Sequence, residues 1–135
     1  MDCLFCKIRD GEIPSQKIYD NDHVFAILDI NPVNPGHTLV IPKKHSTDMR
    51  EADEETLKEI AVATQKIAQA IIDAQGNPGY NLEVNTGEAA GQIIPHTHWH
   101  IVPRTADDGL THWPGKELSP DAMAAIADNI RAKLS

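Results

Sequence analysis

The stretch that decides how this 135-residue chain folds is His96-Thr97-His98-Trp99-His100-Ile101-Val102. Histidine occupies every second position from residue 96 to residue 100, which is the period of an extended strand. Alternate residues of a strand share one face and lie roughly 6.5–7 Å apart along the chain. We therefore predict a strand over residues 96–102 that carries three imidazoles on one side and Thr97, Trp99 and Ile101 on the other.

Three explanations compete for this row of imidazoles. A neutral imidazole, with an unperturbed pKa of about 6.5, attacks phosphorus near neutral pH, and water can later break the phosphorus–nitrogen bond. A metal site of three histidines alone is a second explanation, but ligands along a straight strand converge poorly on an ion that needs them at about 2.0–2.1 Å. Structural histidines are the third. Gly87 and Gly91 precede the row and would let backbone N–H groups approach phosphate oxygens, although glycines also occur in ordinary turns.

The residues on either side predict short strands and two helices. Apolar runs bounded by turn residues predict strands over 17–20, 23–29, 37–42 and 80–85. A long helix is predicted from the cap Asp53 to residue 75, with a buried face of Leu57, Ile60, Ala61, Thr64, Ile67, Ala68 and Ile71. A second amphipathic helix is predicted over 119–134. Strands joined mostly by short turns and interrupted by one helix indicate an antiparallel α+β domain.

The composition excludes several classes of function. Hydrophobic residues make up 41% of the chain, which is enough for one modest core. A formal net charge of −8 argues against a broad nucleic-acid or anionic-membrane surface, because both need a basic field. No apolar run is long enough to span a membrane, and the N-terminus lacks the pattern of a signal peptide. We expect a cytoplasmic protein with no nucleic-acid or membrane partner.

Four segments together resemble the histidine-triad (HIT) superfamily, with its Hint-like branch the nearest. Residues 96–102 match the signature His-φ-His-φ-His-φ-φ, and residues 29–32 match D-I-x-P. Residues 37–45 match H-x-L-V-I-P-K-x-H, and Asn85 with Gly91-Gln92 matches the N-x-G…G-Q approach to the triad.

The resemblance implies a fold, an assembly and an activity. The implied fold is an antiparallel β-sheet with one long helix and a C-terminal helix. It forms a single domain over residues 1–135, with the core in 1–104 and a helical extension in 105–135. The implied assembly is a homodimer, and the implied activity is hydrolysis or transfer at a purine nucleotide conjugate.

The same resemblance assigns roles to individual residues. It makes His98 the nucleophile at the α-phosphorus, with His100 and His37 as its catalytic partners. Asp29 would accept hydrogen bonds from the ribose hydroxyls, although a turn residue at a strand end is the simpler explanation. Asn85 would line the phosphate loop, with a loop-capping amide as the alternative. The nucleotide-binding set implied by the resemblance is Phe5, Ile8, Leu28, Asp29, Ile30, Asn85, Gly91, Gln92, Ile93, His98 and His100.

Cys3 and Cys6 are the two cysteines of the chain, and their C-x-x-C spacing fits a redox pair, half of a metal site or two buried thiols. In zinc-bearing relatives two histidines complete the site, and they correspond here to His45 and His96. Two thiolates and two imidazoles make a closed structural site with no open position for water. The resemblance therefore implies a structural zinc ion that would hold the N-terminus in place.

The chain departs from the family pattern at Ile93, where relatives usually carry serine or threonine. The missing hydroxyl is placed to help the leaving group, so its absence puts fast phosphoramidate cleavage in doubt. The segment with His112 and Trp113 resembles one that reaches the partner's site in Hint-like dimers, and a surface loop is the alternative.

Three functional hypotheses follow. The first is a hydrolase that cleaves purine mononucleotide conjugates, of the phosphoramidate or acyl-adenylate type, through a covalent nucleotidyl-histidine. The second is a dinucleoside-polyphosphate hydrolase or nucleotidyl transferase. The third is a weakly active, zinc-containing dimer that binds nucleotides, and Ile93 supports it.

Overall fold

The computed structural model describes residues 2–134, which form one five-stranded sheet and three α-helices. The strands are β1 (Lys17–Asp20), β2 (Val24–Leu28), β3 (Thr38–Pro42), β4 (Gly79–Glu83) and β5 (Trp99–Arg104). The helices are α1 (Leu4–Arg9), α2 (Glu54–Gln75) and α3 (Pro120–Leu134), and a 3₁₀ turn spans Glu88–Ala90. Neighbours in the sheet order β1-β2-β3-β5-β4 are all antiparallel, so the predicted α+β fold is confirmed. Within residues 2–134, no helix combines the length and apolar character that crossing a bilayer requires.

The two faces of the sheet are covered by different helices. One face packs against α2, and the core cluster there includes Val24, Ala26, Val40, Ile60, Ile67 and Ile101. The other face packs against the short helix α1, and that cluster includes Phe5, Ile8, Phe25, Ile27, Leu39 and Ile41. Leu39 lies directly opposite His100 in the β3–β5 ladder, and opposite residues share a face. The histidine row therefore lies on the α1 face.

Helix α2 begins and ends where the sequence predicts. The Asp53 carboxylate accepts the N–H of Thr56 at 2.8 Å, and Gly76 ends the helix in the left-handed region at φ +76°. The predicted buried face is wrong at Ala61, which is exposed, whereas Ala63 is buried in its place. Ala61 lies about 100° around the helix from Ile60, beyond the edge of the stripe that faces the sheet.

The strand predicted over residues 96–102 is placed wrongly, because β5 begins at Trp99. Residues 96–98 instead join the segment after β3, where the Thr97 N–H donates to the Ser46 carbonyl at 2.9 Å. Pro42, which would face Thr97 if the ladder continued, has no N–H to donate. The side-chain alternation is nevertheless kept, since the rings of His96 and His98 both contact Phe5.

Other boundaries differ by a few residues. The sequence does not predict α1, whose six residues are too few for a helical period. Strand β4 spans Gly79–Glu83 rather than residues 80–85, and β2 and β3 each begin one residue later than predicted. Helix α3 forms as predicted, one residue after Ser119, whose hydroxyl accepts the Ala122 N–H at 3.1 Å. Its apolar side chains Met123, Ile126, Ile130 and Leu134 are all exposed.

Candidate functional site

Hydrogen bonding and burial hold His98 as a neutral imidazole with a free lone pair on Nε2. Its Nδ1 lies 2.7 Å from the backbone carbonyl oxygen of His96. A carbonyl only accepts hydrogen bonds, so Nδ1 carries the hydrogen and the neutral ring has its lone pair on Nε2. Burial lowers the pKa of His98, against smaller opposing effects of the His96 hydrogen bond and the Asp29 charge. The ring is therefore neutral near pH 7.

His37 and His100 form a pair whose hydrogens are also determined by their neighbours. The Val33 N–H donates to His37 Nδ1 at 3.1 Å, which leaves the hydrogen of neutral His37 on Nε2. That Nε2 lies 3.0 Å from His100 Nδ1 and donates to it, so neutral His100 carries its hydrogen on Nε2. The ring centroids of His98 and His100 are 5.0 Å apart. The pair thus places an imidazole N–H donor beside His98, whose Nε2 lone pair is free.

Burial keeps this pair uncharged. It is the main cause that lowers the pKa of His100 to about 4, helped by the nearby His98 and His37 and opposed by Asp29. Burial also lowers the pKa of His37, while the negative charges of Asp29 and Glu83 oppose that shift. Both rings are therefore neutral at pH 7, as the hydrogen-bond pattern requires.

Asp29 brings a carboxylate to the same place. Its Oδ1 accepts the Asn31 N–H at 2.9 Å, and its Oδ2 lies 3.6 Å from His37 Nε2. One carboxylate oxygen of Asp29 and one ring nitrogen each of His37 and His100 lie within 4.8 Å of one another. A carboxylate offers about four acceptor positions, so these contacts leave acceptor capacity on Asp29.

The amide of Gln92 holds the loop before the histidine row in shape. Its Oε1 accepts the Gly87 N–H at 2.9 Å, and its Nε2 donates to the carbonyls of Thr47 at 2.7 Å and Ile94 at 3.0 Å. The backbone N–H groups of residues 90–92 donate to carbonyls of the loop itself. In this structure Gln92 therefore acts on the loop rather than presenting a free amide.

Asn85 and Gly91 meet inside this loop. Gly91 has φ +96°, a conformation that favours glycine, and a Cβ there would lie 3.6 Å from Asn85 Nδ2. Ile93, two residues further on, is 89% exposed. The Asn85 side chain thus packs against the loop backbone at Gly91, and the Ile93 side chain is exposed to solvent.

The remaining apolar residues of the predicted nucleotide set fall into two groups. Phe5 and Ile8 belong to the interior, and the edge of the Phe5 ring supports His98 at a centroid distance of 5.0 Å. Leu28 and Ile30 are exposed, and Ile30 is 99% exposed. Leu28 and Ile30 are therefore open to a ligand, whereas Phe5 and Ile8 lie beneath the histidine row.

Cys3, Cys6, His45 and His96 form the second cluster, and their atoms are close enough to hold a metal ion. His96 Nδ1 lies 3.4 Å from Cys3 Sγ, 3.7 Å from Cys6 Sγ and 3.0 Å from His45 Nδ1. Ligand atoms of a tetrahedral zinc ion lie roughly 3.3–3.8 Å apart, given bonds of about 2.3 Å to sulfur and 2.0–2.1 Å to nitrogen. The sulfur distances fit this geometry, and the distance between the two nitrogens is shorter.

His96 presents a lone pair to this cluster. Its Nε2 donates to the Pro42 carbonyl at 2.8 Å, so the neutral ring has its lone pair on Nδ1, which faces both sulfur atoms. Burial is the main cause that lowers the pKa of His96 to about 4. A neutral imidazole in this orientation has the form that a metal ligand needs.

The backbone groups that fix the histidine hydrogens are absent from the sequence prediction, which placed backbone N–H groups only at Gly87 and Gly91. The Val33 N–H and the carbonyls of Pro42 and His96 determine which nitrogen of each histidine carries hydrogen. Every residue has a backbone N–H or carbonyl, so no residue type marks these groups. Their roles become visible only with the fold.

The chain belongs to the HIT family. The sequence profile of that family, described as the HIT domain, matches residues 10–107, which include the histidine row and the segments of Asp29 and His37.

Two relatives named for their activities and one solved structure are similar to this chain over most of its length. An adenosine 5'-monophosphoramidase of Schizosaccharomyces pombe is 38% identical over 136 residues, covering 99% of each chain. An adenylylsulfatase of Arabidopsis thaliana is 44% identical over 117 residues, covering 87% of this chain and 58% of that protein. The crystal structure of a HIT protein from Bacillus subtilis has a TM-score of 0.92 and 41% identity, and the alignment covers 100% of this chain and 99% of that one. Nucleotide hydrolysis is thus an activity of the family.

We expect the site to tolerate mild acid. Protonating His100 turns its Nδ1 from the acceptor of the His37–His100 bond into a second donor, and protonating His37 turns its Nδ1 from the acceptor of the Val33 N–H into a donor. The charged or titratable groups around the pair are Asp29, Glu83 and His98. Because the pKa of His100 is lowered to about 4, turnover should persist as pH falls through 6.5. The lowered pKa values of His98 and His37 place their protonation below the same pH, and His100 becomes charged as pH approaches about 4, by which point turnover should be lost. Measuring kcat from pH 8 to pH 4, with an enzyme-free blank at each pH, tests this pH dependence. A kcat that falls to half near pH 6.5 would contradict it.

Proposed function

We propose that this protein hydrolyses purine mononucleotide conjugates, of the phosphoramidate or acyl-adenylate type, at the α-phosphate. The observation that carries the proposal is the hydrogen bond from His98 Nδ1 to the His96 carbonyl, which leaves the Nε2 lone pair for attack. The names of the S. pombe relative, an adenosine 5'-monophosphoramidase, and of the A. thaliana relative, an adenylylsulfatase, support this substrate class. Release of AMP from adenosine 5′-phosphoramidate tests the proposal. No release, with AMP still binding, would contradict it.

The proposed reaction has two displacements. The His98 Nε2 lone pair forms a bond to the α-phosphorus while the bond from phosphorus to the leaving group breaks, and the leaving group takes up a proton from solvent water. Water then attacks the same phosphorus, breaks the phosphorus–nitrogen bond, and releases the nucleoside monophosphate with the loss of one proton. His98 returns to its neutral form after the second step.

Neighbouring groups would stabilise and orient the substrate. The Nε2–H of His100 donates to a phosphate oxygen, where negative charge increases in the transition state. We propose that Asp29 accepts hydrogen bonds from the ribose hydroxyls, using the acceptor capacity that Asn31 leaves. Leu28 and Ile30 would border the sugar and the base, since both are exposed next to Asp29.

We propose that Cys3, Cys6, His45 and His96 hold a structural zinc ion. The donor set of two thiols and two imidazoles is the chemistry that zinc prefers, and the His96 lone pair points into it. Zinc would supply a crosslink between the N-terminal segment and the histidine row. The two cysteines are not joined in a disulfide, which fits the reducing cytoplasm that we propose as the compartment.

A homodimer is the assembly that we propose. The apolar stripe of α3, from Met123 to Leu134, is exposed, and a 15-residue helix is marginal in water without a packing partner. Strand β4 lies at the sheet edge with Tyr80 and Leu82 exposed, so a second copy could cover both features. Sedimentation equilibrium at micromolar concentration measures the mass; a monomer throughout that range would overturn the proposal.

Ile93 keeps a weakly active nucleotide-binding protein as the second candidate. We expect Ile93→Ser to raise kcat for adenosine 5′-phosphoramidate roughly 10-fold, because an added hydroxyl can assist the leaving group. The side chain is 89% exposed, so the fold should be unaffected. Ile18→Ser, an exposed isoleucine on β1, is the matched control. An unchanged kcat in Ile93→Ser would show that the missing hydroxyl does not limit the rate.

A further inference from the structure

Asp108, in the loop after β5, is surrounded by hydrogen-bond donors. Its two oxygens accept from Arg104 Nε at 2.6 Å, Arg104 Nη2 at 3.1 Å, and the N–H groups of Thr105 at 3.2 Å and Leu110 at 3.0 Å. Its side chain is only 6% exposed. The Arg104 guanidinium is the main cause that holds the pKa of Asp108 well below its usual range. These donors hold the Asp108 carboxylate in one position.

Asn34 joins the Asp108 carboxylate to the turn before β3, residues 31–36. Its Nδ2 donates to Asp108 Oδ2 at 3.1 Å and to the Pro103 carbonyl at 2.8 Å. The backbone carbonyl of Asn34 accepts the backbone N–H of His37 at 3.0 Å. Residues 31–33 and 35 of the turn are exposed, so packing does little to fix its shape. The Asn34 side chain therefore ties the turn to β5 and the loop after it, while Gln75 Nε2, which donates to the Pro35 carbonyl at 3.1 Å, ties it to helix α2.

The same turn supplies the Val33 N–H that donates to His37 Nδ1. If the turn moved, Nδ1 would lose this donor and could take the ring hydrogen itself. His37 Nε2 would then be a bare acceptor facing His100 Nδ1, 3.0 Å away. His100 would shift its own hydrogen to Nδ1 to donate, and its Nε2–H would be lost.

We propose that Asp108 and Asn34 are positioning residues for the nucleotide site: by fixing the turn, they select the His37 tautomer that keeps a hydrogen on His100 Nε2. The effect on catalysis rests on the proposed hydrolase function, whereas the effect on the tautomer does not. Asp108 touches neither the histidines nor the proposed substrate, and it acts through Asn34.

The experiment measures the tautomer directly, by NMR of the ring nitrogens in ¹⁵N-histidine-labelled protein without nucleotide. The wild type should show His37 with hydrogen on Nε2 alone. Asp108→Asn turns one acceptor oxygen into a donor amide among its donor neighbours, and Asn34→Ala removes the tether while leaving the Arg104–Asp108 pair. Both variants should show a mixture of His37 tautomers. Asp107→Asn, an exposed carboxylate one residue away, is the matched control and should resemble the wild type.

Kinetics separate this inference from the proposed function. We expect kcat for AMP release to fall on the order of 10-fold in both variants, with KM within about twofold, because the donor is misplaced while binding contacts remain. An unchanged His37 tautomer in a folded Asn34→Ala protein would overturn the inference, whether or not Asp108→Asn folds. If the tautomer shifts but the wild type releases no AMP, the positioning role stands and the hydrolase proposal fails.

Discussion

His98→Ala should abolish release of AMP from adenosine 5′-phosphoramidate, with kcat at least about 10³-fold below the wild type. In the proposed mechanism His98 Nε2 forms the covalent bond, so removing it leaves only the binding contribution to the rate. Binding of AMP should persist, since His100, Asp29 and the loop before the histidine row are untouched. Release of AMP under single-turnover conditions and AMP affinity by calorimetry are the two measurements.

Two control variants make this result specific. His98→Asn keeps an amide that can still donate to the His96 carbonyl, so its inactivity could not be blamed on the lost hydrogen bond. His23→Ala removes an exposed histidine at the start of β2 and should leave turnover within about twofold. Normal turnover in His98→Ala would exclude the covalent mechanism. In the wild type, protein quenched with denaturant at alkaline pH should carry AMP on His98, visible by mass spectrometry; an acid quench would cleave the phosphorus–nitrogen bond.

Local sequence signals predicted those parts of the fold that local forces determine. Helix α2 has its cap at Asp53, its stop at Gly76 and a helical stripe between them, and all three act within a few residues. The alternation of the histidine row also holds, because a strand-like backbone turns successive side chains to opposite sides. The prediction of the α2 face failed at Ala61, which is exposed on the border of the stripe, and Leu57 is only half-buried.

The rest depends on contacts between distant parts of the chain. The start of β5 is set by Pro42 and by the pairing of Ser46 with Thr97, whose positions are 51 residues apart. Asn34 meets Pro103 and Asp108 across 69 and 74 residues. No periodicity or motif encodes such pairs, and the tautomers of the histidines depend on backbone groups that every residue possesses. These features could be predicted only after the sheet order was known.

One residue, His96, joins the proposed metal site to the proposed nucleophile His98. The His96 side chain lies among Cys3, Cys6 and His45, while its backbone carbonyl holds His98 Nδ1 at 2.7 Å. The Pro42 carbonyl fixes the other ring nitrogen of His96 at 2.8 Å. Any change that frees the His96 side chain therefore also loosens the carbonyl that determines the His98 tautomer.

Loss of the proposed zinc ion should lower the melting temperature on the order of 10 °C, which corresponds to a few kcal/mol for a domain of this size. Cys3→Ser is the sharpest variant for this test. Cys3 Sγ caps α1 by accepting the Cys6 N–H at 3.4 Å, and a serine hydroxyl is a strong helix cap. The substitution therefore removes the thiolate while preserving the cap, so that the loss of stability reports on the metal.

The measurement combines calorimetric melting with metal content per chain. The wild type should carry about one zinc ion and lose stability when treated with a chelator, since a metal that binds the folded state stabilises it. Cys3→Ser should carry none and should not respond to the chelator. Wild-type protein that binds no zinc after incubation with it would refute the metal site. Equal melting temperatures for both proteins, with and without chelator, would show that the cluster is held by hydrogen bonds alone.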